Sequence, residues 1–393
     1  MKPKVLQAIA ALGLCVSAGA QVNSGSNGSD GAFNPTTDIV INMTDHPNGI
    51  YQYTSVHISN GVTVTFIPNA NNTPVVWLVQ SNVVINGAVY VNGQSGIVSA
   101  GGVGGPGGYR GGNPGSTATP GQGPGGGGAG NCGGGNASYG SLGATNQTDG
   151  ALGNIYGNAF LIPLLGGSGG GGTSNYTYFA GGGGGGAILV AASGNIQLNG
   201  IINANGGWGV NYVGNIGGGG GSGGGVRLVA SAISGSGNIS CSGGVGGCYG
   251  WPVTAAGSGR VRFDTYANNF GGSIGGVFSQ GYQPILIQTN DQGAQLTVTS
   301  VGGVPVSTSP SGQLSTPDAV LSAQQNNPIP VIVHCSNIPL NTQITVNVKL
   351  ATGAAVSATG LNSTGTLSSS MATVLINMPR GGGIIYATAA TGN

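Results

Sequence analysis

The sequence has little charge and contains no glutamate. Eight of its 393 residues are Lys or Arg and seven are Asp, so charged residues make up 4% of the chain, against about 25% in an average protein. The net charge of +1 provides no basic surface for phosphates, so nucleic acid is not an expected partner. Hydrolysis of sugars generally needs a pair of carboxylates. The seven Asp residues are scattered singly along the chain, which argues against a glycosidase.

Long apolar runs are absent after the N-terminus. Lys2 and Lys4 precede the apolar residues 5–16, and the small residues 18–20 follow, which predicts a signal peptide over residues 1–20. Residues 12–15 also resemble a lipoprotein signal, but Leu14 stands where a small residue is wanted. No later run reaches about 18 apolar residues, so no membrane span is expected. The expected location is secreted, extracellular or on the outer cell surface.

Cysteine is scarce, and four cysteines follow the predicted signal peptide. Cys241 and Cys248 flank a flexible hexapeptide, and because export favours oxidation they are a candidate disulfide. The other two are Cys132 and Cys335, and Cys335 suits a buried position in a strand. The sequence has no C-x-x-C pair and no histidine cluster, so we expect neither a metal nor a cofactor.

Glycine is the abundant residue, and 63 of the 85 glycines lie between residues 101 and 280. Consecutive glycines such as residues 181–186 break the three-residue period of collagen. Aspartate is almost missing between them, which excludes calcium-binding glycine repeats. Two interpretations of these runs remain open. They are either flexible loops or extended, polyproline-II-like segments that pack closely, and the aromatic residues among them favour partial order.

Three aligned segments predict the fold. Residues 76–93, 188–207 and 226–244 each contain an apolar strand, a small-residue corner, a second strand and a turn before a third, and a fourth copy could begin at Arg260. Such repeats indicate a parallel β-solenoid, with a β-sandwich as the alternative. We therefore predict an all-β protein with a β-solenoid and glycine-rich insertions over residues 21–283. Strand patterns within residues 284–393 predict a small antiparallel Ig-like β-sandwich.

Aromatic residues within the glycine-rich stretch are candidate ligand contacts. Tyr and Trp rings stack on the apolar faces of sugars while their polar atoms form hydrogen bonds, although the same rings could pack as lids over the glycines. The candidate glycan contacts are Tyr109, Tyr176, Tyr178, Trp208, Tyr212, Tyr249 and Trp251.

One charged cluster is recognisable in the sequence, and no catalytic residue is assigned. Arg260, Arg262 and Asp264 alternate along a predicted strand, an arrangement that a polysaccharide lyase could use and that is also typical of a solvated strand face. None of the three histidines has the neighbours that a catalytic triad requires.

Two stretches carry a resemblance to known exported proteins. Residues 332–342 with residues 372–379 look like the Ig-like modules that end many bacterial exported proteins. The strands 188–192 and 226–230, each preceded by a glycine run, are similar to glycine-rich exported proteins of environmental Gram-negative bacteria. The resemblance implies a surface or matrix location and transfers no active site.

Three functions follow as hypotheses. The first is a secreted or cell-surface structural or adhesive protein without catalytic activity, which could associate with itself into a filament or matrix. The second is a surface protein that binds polysaccharide through Tyr and Trp in its glycine-rich loops. The third, a polysaccharide-active β-helix enzyme, depends on Arg260, Arg262 and Asp264 alone.

Overall fold

The chain is nearly all β in a computed structural model, with about 1% helix. The structure describes residues 22–145, 149–174, 179–210, 217–246, 254–282, 284, 295–307, 310, 317–350 and 354–389. Among these residues the helical part is a single 3-10 turn, Met43–Asp45. None of the described helices has the length and hydropathy needed to cross a membrane.

Parallel strands build two sheets in the N-terminal two thirds of the chain. The larger has ten strands, in the order β1 (Ala32–Phe33), β4 (Ser55–Ile58), β7 (Val83–Ile85), β10 (Ile196–Leu198), β12 (Gly225–Gly235), β9 (Ala187–Ala192), β6 (Val75–Val79) and β3 (Ile50–Tyr53), with β16 (Arg260–Phe270) beside β12 and β18 (Val277–Gly281) beside β16. The smaller has six strands, in the order β17 (Ser273–Gly275), β13 (Asn238–Ser240), β11 (Ile201–Asn203), β8 (Ala88–Tyr90), β5 (Thr63–Ile67) and β2 (Ile39–Asn42). A short antiparallel pair joins β14 (Val245–Gly246) to β15 (Thr254–Ala255).

Valine, isoleucine and aromatic residues of both parallel sheets point into one core. Trp77, Val190 and Leu228 are fully buried there, and Trp77 is paired with Val190 across neighbouring strands. The β-branched residues suit these strands because they pack well on a pleated surface. β9 is buried along its whole length, since Val22 and Leu164 pack with Leu189 and Ala191 in a second apolar cluster, apart from the main core.

The predicted β-solenoid is wrong as a description of this fold. The repeated segments do pair in parallel, as in the pairing of Ile188 with Val226 and of Val226 with Val261. However, eight parallel strands curve through 297° into a sheet that is nearly barrel-shaped, and antiparallel sheets accompany it. An alignment of repeats predicts which segments are neighbours. It does not contain the twist between strands, which determines how far a sheet curves.

The C-terminal strands form antiparallel sheets around a second core. The structure thereby corrects the prediction of a β-solenoid followed by an Ig-like β-sandwich. One sheet has the order β20 (Val304–Pro305), β19 (Gln295–Val301), β21 (Ile329–Ser336), β25 (Ser370–Ile376) and β24 (Thr364–Gly365), and the other has the order β23 (Val356–Leu361), β22 (Gln343–Leu350) and β26 (Gly383–Ala389). Val333, Val346 and Val374 are fully buried between them.

The glycine runs are ordered, in agreement with the second interpretation of the sequence. Residues 181–186 contain no strand, yet every one of their backbone N–H groups donates a hydrogen bond to another segment. Gly181 and Gly184 donate to residues 112 and 109, Gly182 and Gly185 to residues 219 and 222, and Gly183 and Gly186 to residues 94 and 91. Partners that change with a period of three residues are the signature of a polyproline-II-like helix, which has three residues per turn.

Other extended segments surround this run on every side. It accepts hydrogen bonds from Gly102 and Gly105, from Gly167 and Gly170, and from Gly207. Residues 166–172 and 217–225 are surrounded in the same manner. We call this array of hydrogen-bonded extended segments, within residues 91–259, the glycine bundle. Its interior contains peptide groups in place of side chains.

Candidate functional site

One end of the glycine bundle joins the parallel sheet, and the other end is formed by connecting loops. Gly186 leads directly into β9, whereas Gly181 lies at the opposite end of the run. Backbone hydrogen bonds tie the loops at that opposite end to one another, including Gly115 N–H to Thr173 O, Ser174 N–H to Gly130 O and Gly134 N–H to Gly217 O. We call this region, made of residues 96–101, 113–119, 130–134 and 208–210, the far end. It is the candidate functional site because loops on a rigid scaffold are where proteins commonly place binding residues.

Three large apolar side chains are exposed together at the far end. Trp208, Ile97 and Val98 are 61%, 60% and 56% exposed. The backbone carbonyl of Trp208 accepts a hydrogen bond from the Gly96 N–H at 2.8 Å, and the backbone N–H of Trp208 donates to Ser95 Oγ at 3.2 Å. Ile97 and Ala100 pair in a tight antiparallel turn, which presents Val98 at its tip. The backbone is therefore fixed while the side chains face solvent, an arrangement suited to contact with a partner.

Another far-end loop is held by a single carboxylate. Asp149 accepts hydrogen bonds from the backbone N–H groups of Asn131, Cys132 and Gly133, at 3.2 Å and 3.1 Å for the last two. Partial burial alone would raise the pKa of Asp149, but the backbone hydrogen bonds outweigh it and hold the pKa below its usual value. The negative charge therefore stabilises this loop.

The predicted glycan contacts do not all lie in one place. Trp208 is at the far end, whereas Tyr109 is half-buried and pairs with Gly167 and Gly184 toward the sheet, where burial raises its pKa. Five of the predicted contacts, Tyr176, Tyr178, Tyr212, Tyr249 and Trp251, lie outside the described residues. Their role stays a prediction.

Two other tyrosines of the glycine-rich stretch pack as lids over the glycines, which is the alternative that the sequence left open. Tyr139 and Tyr156 are buried at the sheet end of the bundle with ring centroids 4.4 Å apart. The Tyr156 hydroxyl donates to Gly166 O at 2.5 Å, and the Tyr139 hydroxyl donates to Leu165 O at 3.0 Å. These rings close the bundle and are not accessible to a ligand.

The charged cluster is buried and includes an arginine that was not predicted. Asp264 accepts from Arg227 and Arg262, with N–O distances of 2.8 Å and 2.7 Å, and all three residues are at most 4% exposed. The expectation of a solvated strand face is therefore wrong for Arg262 and Asp264. Both oxygens of the carboxylate are engaged, which leaves it poorly suited to general acid or base chemistry.

Arg260 is separate from that cluster, although it lies on the same strand. Its guanidinium donates to Tyr156 O at 2.9 Å and 3.2 Å and lies 5.6 Å from the centre of the Tyr139 ring. Burial lowers the pKa of Arg260, and the neighbouring tyrosines partly oppose this. Arg260 therefore fastens the tyrosine lids to the parallel sheet.

Cys241 lies in the main core, and Cys248 lies outside the described residues. The Cys241 Sγ donates a weak hydrogen bond to Arg260 O at 3.8 Å, and burial raises the pKa of the thiol. The predicted disulfide between the two stays a prediction. Within the described ranges no three His, Cys, Asp or Glu residues are grouped as metal ligands.

Sequence reasoning missed Arg227, Ile97 and Val98, and a signal existed for each. The fourth repeat, once aligned, pairs Arg227 with Arg262 and thus brings both near Asp264. Ile97 and Val98 are an apolar pair inside a Gly and Ser turn, where apolar residues have no core to enter.

Comparisons of the chain with protein-family models, curated proteins and solved structures give no match. Functional inference therefore depends on the geometry described above.

Proposed function

We propose that this chain is an exported, non-catalytic adhesive protein that binds its target through the far end of the glycine bundle. The observation that carries the proposal is the exposed Trp208 beside the Ile97 and Val98 turn. The signal-peptide pattern and the resemblance to glycine-rich exported proteins support a location outside the cell.

The scaffold favours binding because its loops need little ordering when they meet a partner. A rigid binding surface avoids part of the entropy cost of association. Tryptophan is also the residue type most enriched among the contacts that dominate binding energies. Trp208 therefore supplies a large contact area from a backbone that Gly96 and Ser95 already hold.

A polysaccharide is the second candidate for the target class. The exposed indole of Trp208 favours it, because an aromatic face packs on the apolar face of a sugar ring while the indole N–H donates a hydrogen bond. The proposal of adhesion does not depend on this choice, since Ile97 and Val98 suit an apolar surface equally well.

Replacement of Trp208 by alanine tests the proposal. Binding of the mature chain is measured on a panel of immobilised polysaccharides and on a bare hydrophobic surface. We expect Trp208→Ala to weaken binding by about tenfold or more, the loss of a dominant contact. Tyr266→Ala is the matched control, because Tyr266 is a 50% exposed aromatic residue on β16, away from the far end.

Each outcome of this measurement has a distinct meaning. Retention on sugars that depends on Trp208 identifies a glycan ligand, and retention on the hydrophobic surface alone identifies adhesion without sugar recognition. If the chain binds neither surface, or if Trp208→Ala and Tyr266→Ala bind as the unaltered chain does, the proposal fails.

A further inference from the structure

Asparagine followed by glycine occurs seven times in the chain, and this dipeptide reacts with itself in water. Glycine has no Cβ, so its backbone nitrogen is open to attack Cγ of the asparagine before it. The new N–C bond closes a succinimide ring, and the carboxamide nitrogen leaves as ammonia. Water then opens the ring to isoaspartate or aspartate. The seven pairs begin at Asn27, Asn48, Asn60, Asn86, Asn92, Asn199 and Asn205, all within the described residues.

Six of the seven glycines have their backbone N–H in a hydrogen bond. Such a glycine must break that bond before its nitrogen can turn toward the asparagine side chain, so the bond protects the pair. The donors with their acceptor residues are Gly28 with Ser26, Gly49 with His46, Gly87 with Ile58, Gly93 with Asn205, Gly200 with Ile85 and Gly206 with Ser242, at distances from 2.8 Å to 3.2 Å.

The carboxamides of the same six pairs are also held. Asn86 Oδ1 accepts a hydrogen bond from Asn199 Nδ2 at 2.9 Å, which fixes two of them at once. The carboxamide oxygens of the other four accept from backbone N–H groups, namely Asn27 from Ser29, Asn48 from Ile50, Asn92 from Asn205 and Asn205 from Ser242. Each side chain is therefore restrained from rotating its Cγ toward the next residue.

The pair Asn60–Gly61 has neither restraint. Among the described residues, no hydrogen-bond partner lies within reach of the Gly61 N–H or of the Asn60 carboxamide. Both residues are exposed. Gly61 has a φ of +81°, and no atom lies within 4 Å of a Cβ built on it. The turn is therefore open to water and has space for a ring to form.

The position of this turn in the fold explains the difference. Turns that lead from the larger parallel sheet to the smaller one lie side by side, and each glycine donates to the strand before the neighbouring turn, Gly200 to Ile85 and Gly87 to Ile58. The Asn60 turn follows β4, whose other neighbour is β1. β1 ends at Phe33, opposite Val56. In the described chain no strand continues far enough to accept from Gly61.

We propose that Asn60 is a site of spontaneous deamidation in the folded chain, where it becomes isoaspartate or aspartate while the other six Asn–Gly pairs are protected. Either product adds one negative charge to an exposed turn. Isoaspartate also lengthens the main chain by one methylene group, which the open space around Gly61 accommodates without loss of the fold. The proposal concerns β4 and β5 and is independent of binding at the far end.

The test incubates the mature full-length chain at pH 8, both folded and unfolded in urea. Samples are digested with pepsin in acid, which stops the reaction, and mass spectrometry follows each Asn–Gly peptide. In the folded chain we expect Asn60 to convert about tenfold faster or more than any other pair, because reaction elsewhere needs local opening. In the unfolded chain the seven pairs should react at similar rates.

Two variants locate the new charge by anion-exchange chromatography. Asn60→Gln should remove most of the acidic form that accumulates in the folded chain. Asn48→Gln is the matched control, because Asn48 is also exposed in an Asn–Gly turn but precedes a bonded glycine, and it should leave that form unchanged. An Asn60 that stays intact in the folded chain, or any of the other six that converts as fast there, overturns the proposal.

Discussion

At the scale of single residues, glycine in the bundle is required by space. A Cβ atom built on Gly184 would lie 1.9 Å from the carbonyl oxygen of Gly167, and one on Gly224 would lie 1.8 Å from that of Gly186. The obstructing atoms belong to the backbone, so no side chain can rotate to make room. Collagen has the same constraint at its axis, but here it applies to consecutive residues because neighbours surround each run.

Replacement of Gly184 by alanine is expected to destabilise the fold severely. The added methyl group would displace a hydrogen-bonded neighbour. We expect the free energy of unfolding to fall by about 3 kcal/mol or more, at the upper end of the cost of overpacking a core. Urea unfolding at equilibrium measures this change. Gly382→Ala is the control, since no atom lies within 4 Å of a Cβ at that position, and equal losses in the two variants would show that the packing argument is wrong.

The sequence predicted the neighbours of some residues well and of others poorly. It aligned Ile188 with Val226, and the structure pairs them. It also aligned Val76 with Ile188, whereas Val76 pairs with Leu189. Alternation of apolar and polar residues normally fixes the register of a strand, but β9 is buried on both faces. A shift by one residue therefore leaves no trace in the pattern.

At the scale of elements, the far end depends on how its loops are fixed to the bundle. The turn around Ile97 is held by backbone pairing. The loop of residues 130–134 is held by the carboxylate of Asp149. The stability of the loop of residues 130–134 therefore depends on pH. The backbone pairing that holds the turn around Ile97 involves no titratable group.

The loop of residues 130–134 is expected to loosen in acid. The pKa of Asp149 is lower in the folded chain than the reference value of 3.8 for an unfolded chain. The carboxylate therefore stabilises the loop fully above the unfolded pKa. This stabilisation is lost as the pH falls through the lower, folded pKa. We expect Asp149→Asn to lose about 1 kcal/mol of local stability at pH 7, a modest value because the group is largely exposed.

Amide hydrogen exchange at Gly133 measures this effect, with the central amide of Gly184 as the internal reference. The unaltered chain and Asp149→Asn should differ at neutral pH and converge in strong acid. A Gly133 amide that exchanges equally fast in both at pH 7 would contradict the assigned role of Asp149.

The contacts that sequence could not predict are those between distant segments of the chain. Lys349 and Phe160 lie in different parts of the chain and meet only because the C-terminal sheet lies against the parallel sheet. No local period records such a contact. The neighbours of the glycine runs could not be predicted either, because a run of identical residues contains no information about which segment will pack against it.

At the scale of the whole molecule, the six-stranded parallel sheet ends in an exposed strand. Among the described residues, the edge strand β2 of this sheet pairs with β5 alone. Ile39 and Val40 on β2 are 38% and 62% exposed. Uncovered edges pair readily with other chains, and natural proteins usually protect them with charge, of which this chain has little. Association with a second copy thus stays a prediction, and β2 is the strand at which we expect it.

Introduction of a charge at this edge tests self-association. We expect the purified mature chain to associate as its concentration rises, and Val40→Lys to reduce this association because a lysine must lose its hydration to pair. Light scattering over a concentration series measures the mass. Val320→Lys is the control at another exposed valine. A monodisperse monomer at the highest concentration reached by the unaltered chain would rule out the prediction.

The glycine bundle also affects how stability varies with temperature. Apolar surface raises the heat capacity when unfolding exposes it, and polar surface lowers it. The interior of the bundle consists of peptide groups, so its unfolding adds mostly polar surface, in contrast to the valine and isoleucine core of the sheets. We therefore expect the heat-capacity change of unfolding of the whole chain to be small for its length. A small change flattens the stability curve, so the far-end loops keep a firm support over a wide range of temperature, including the cold, where apolar cores lose their advantage.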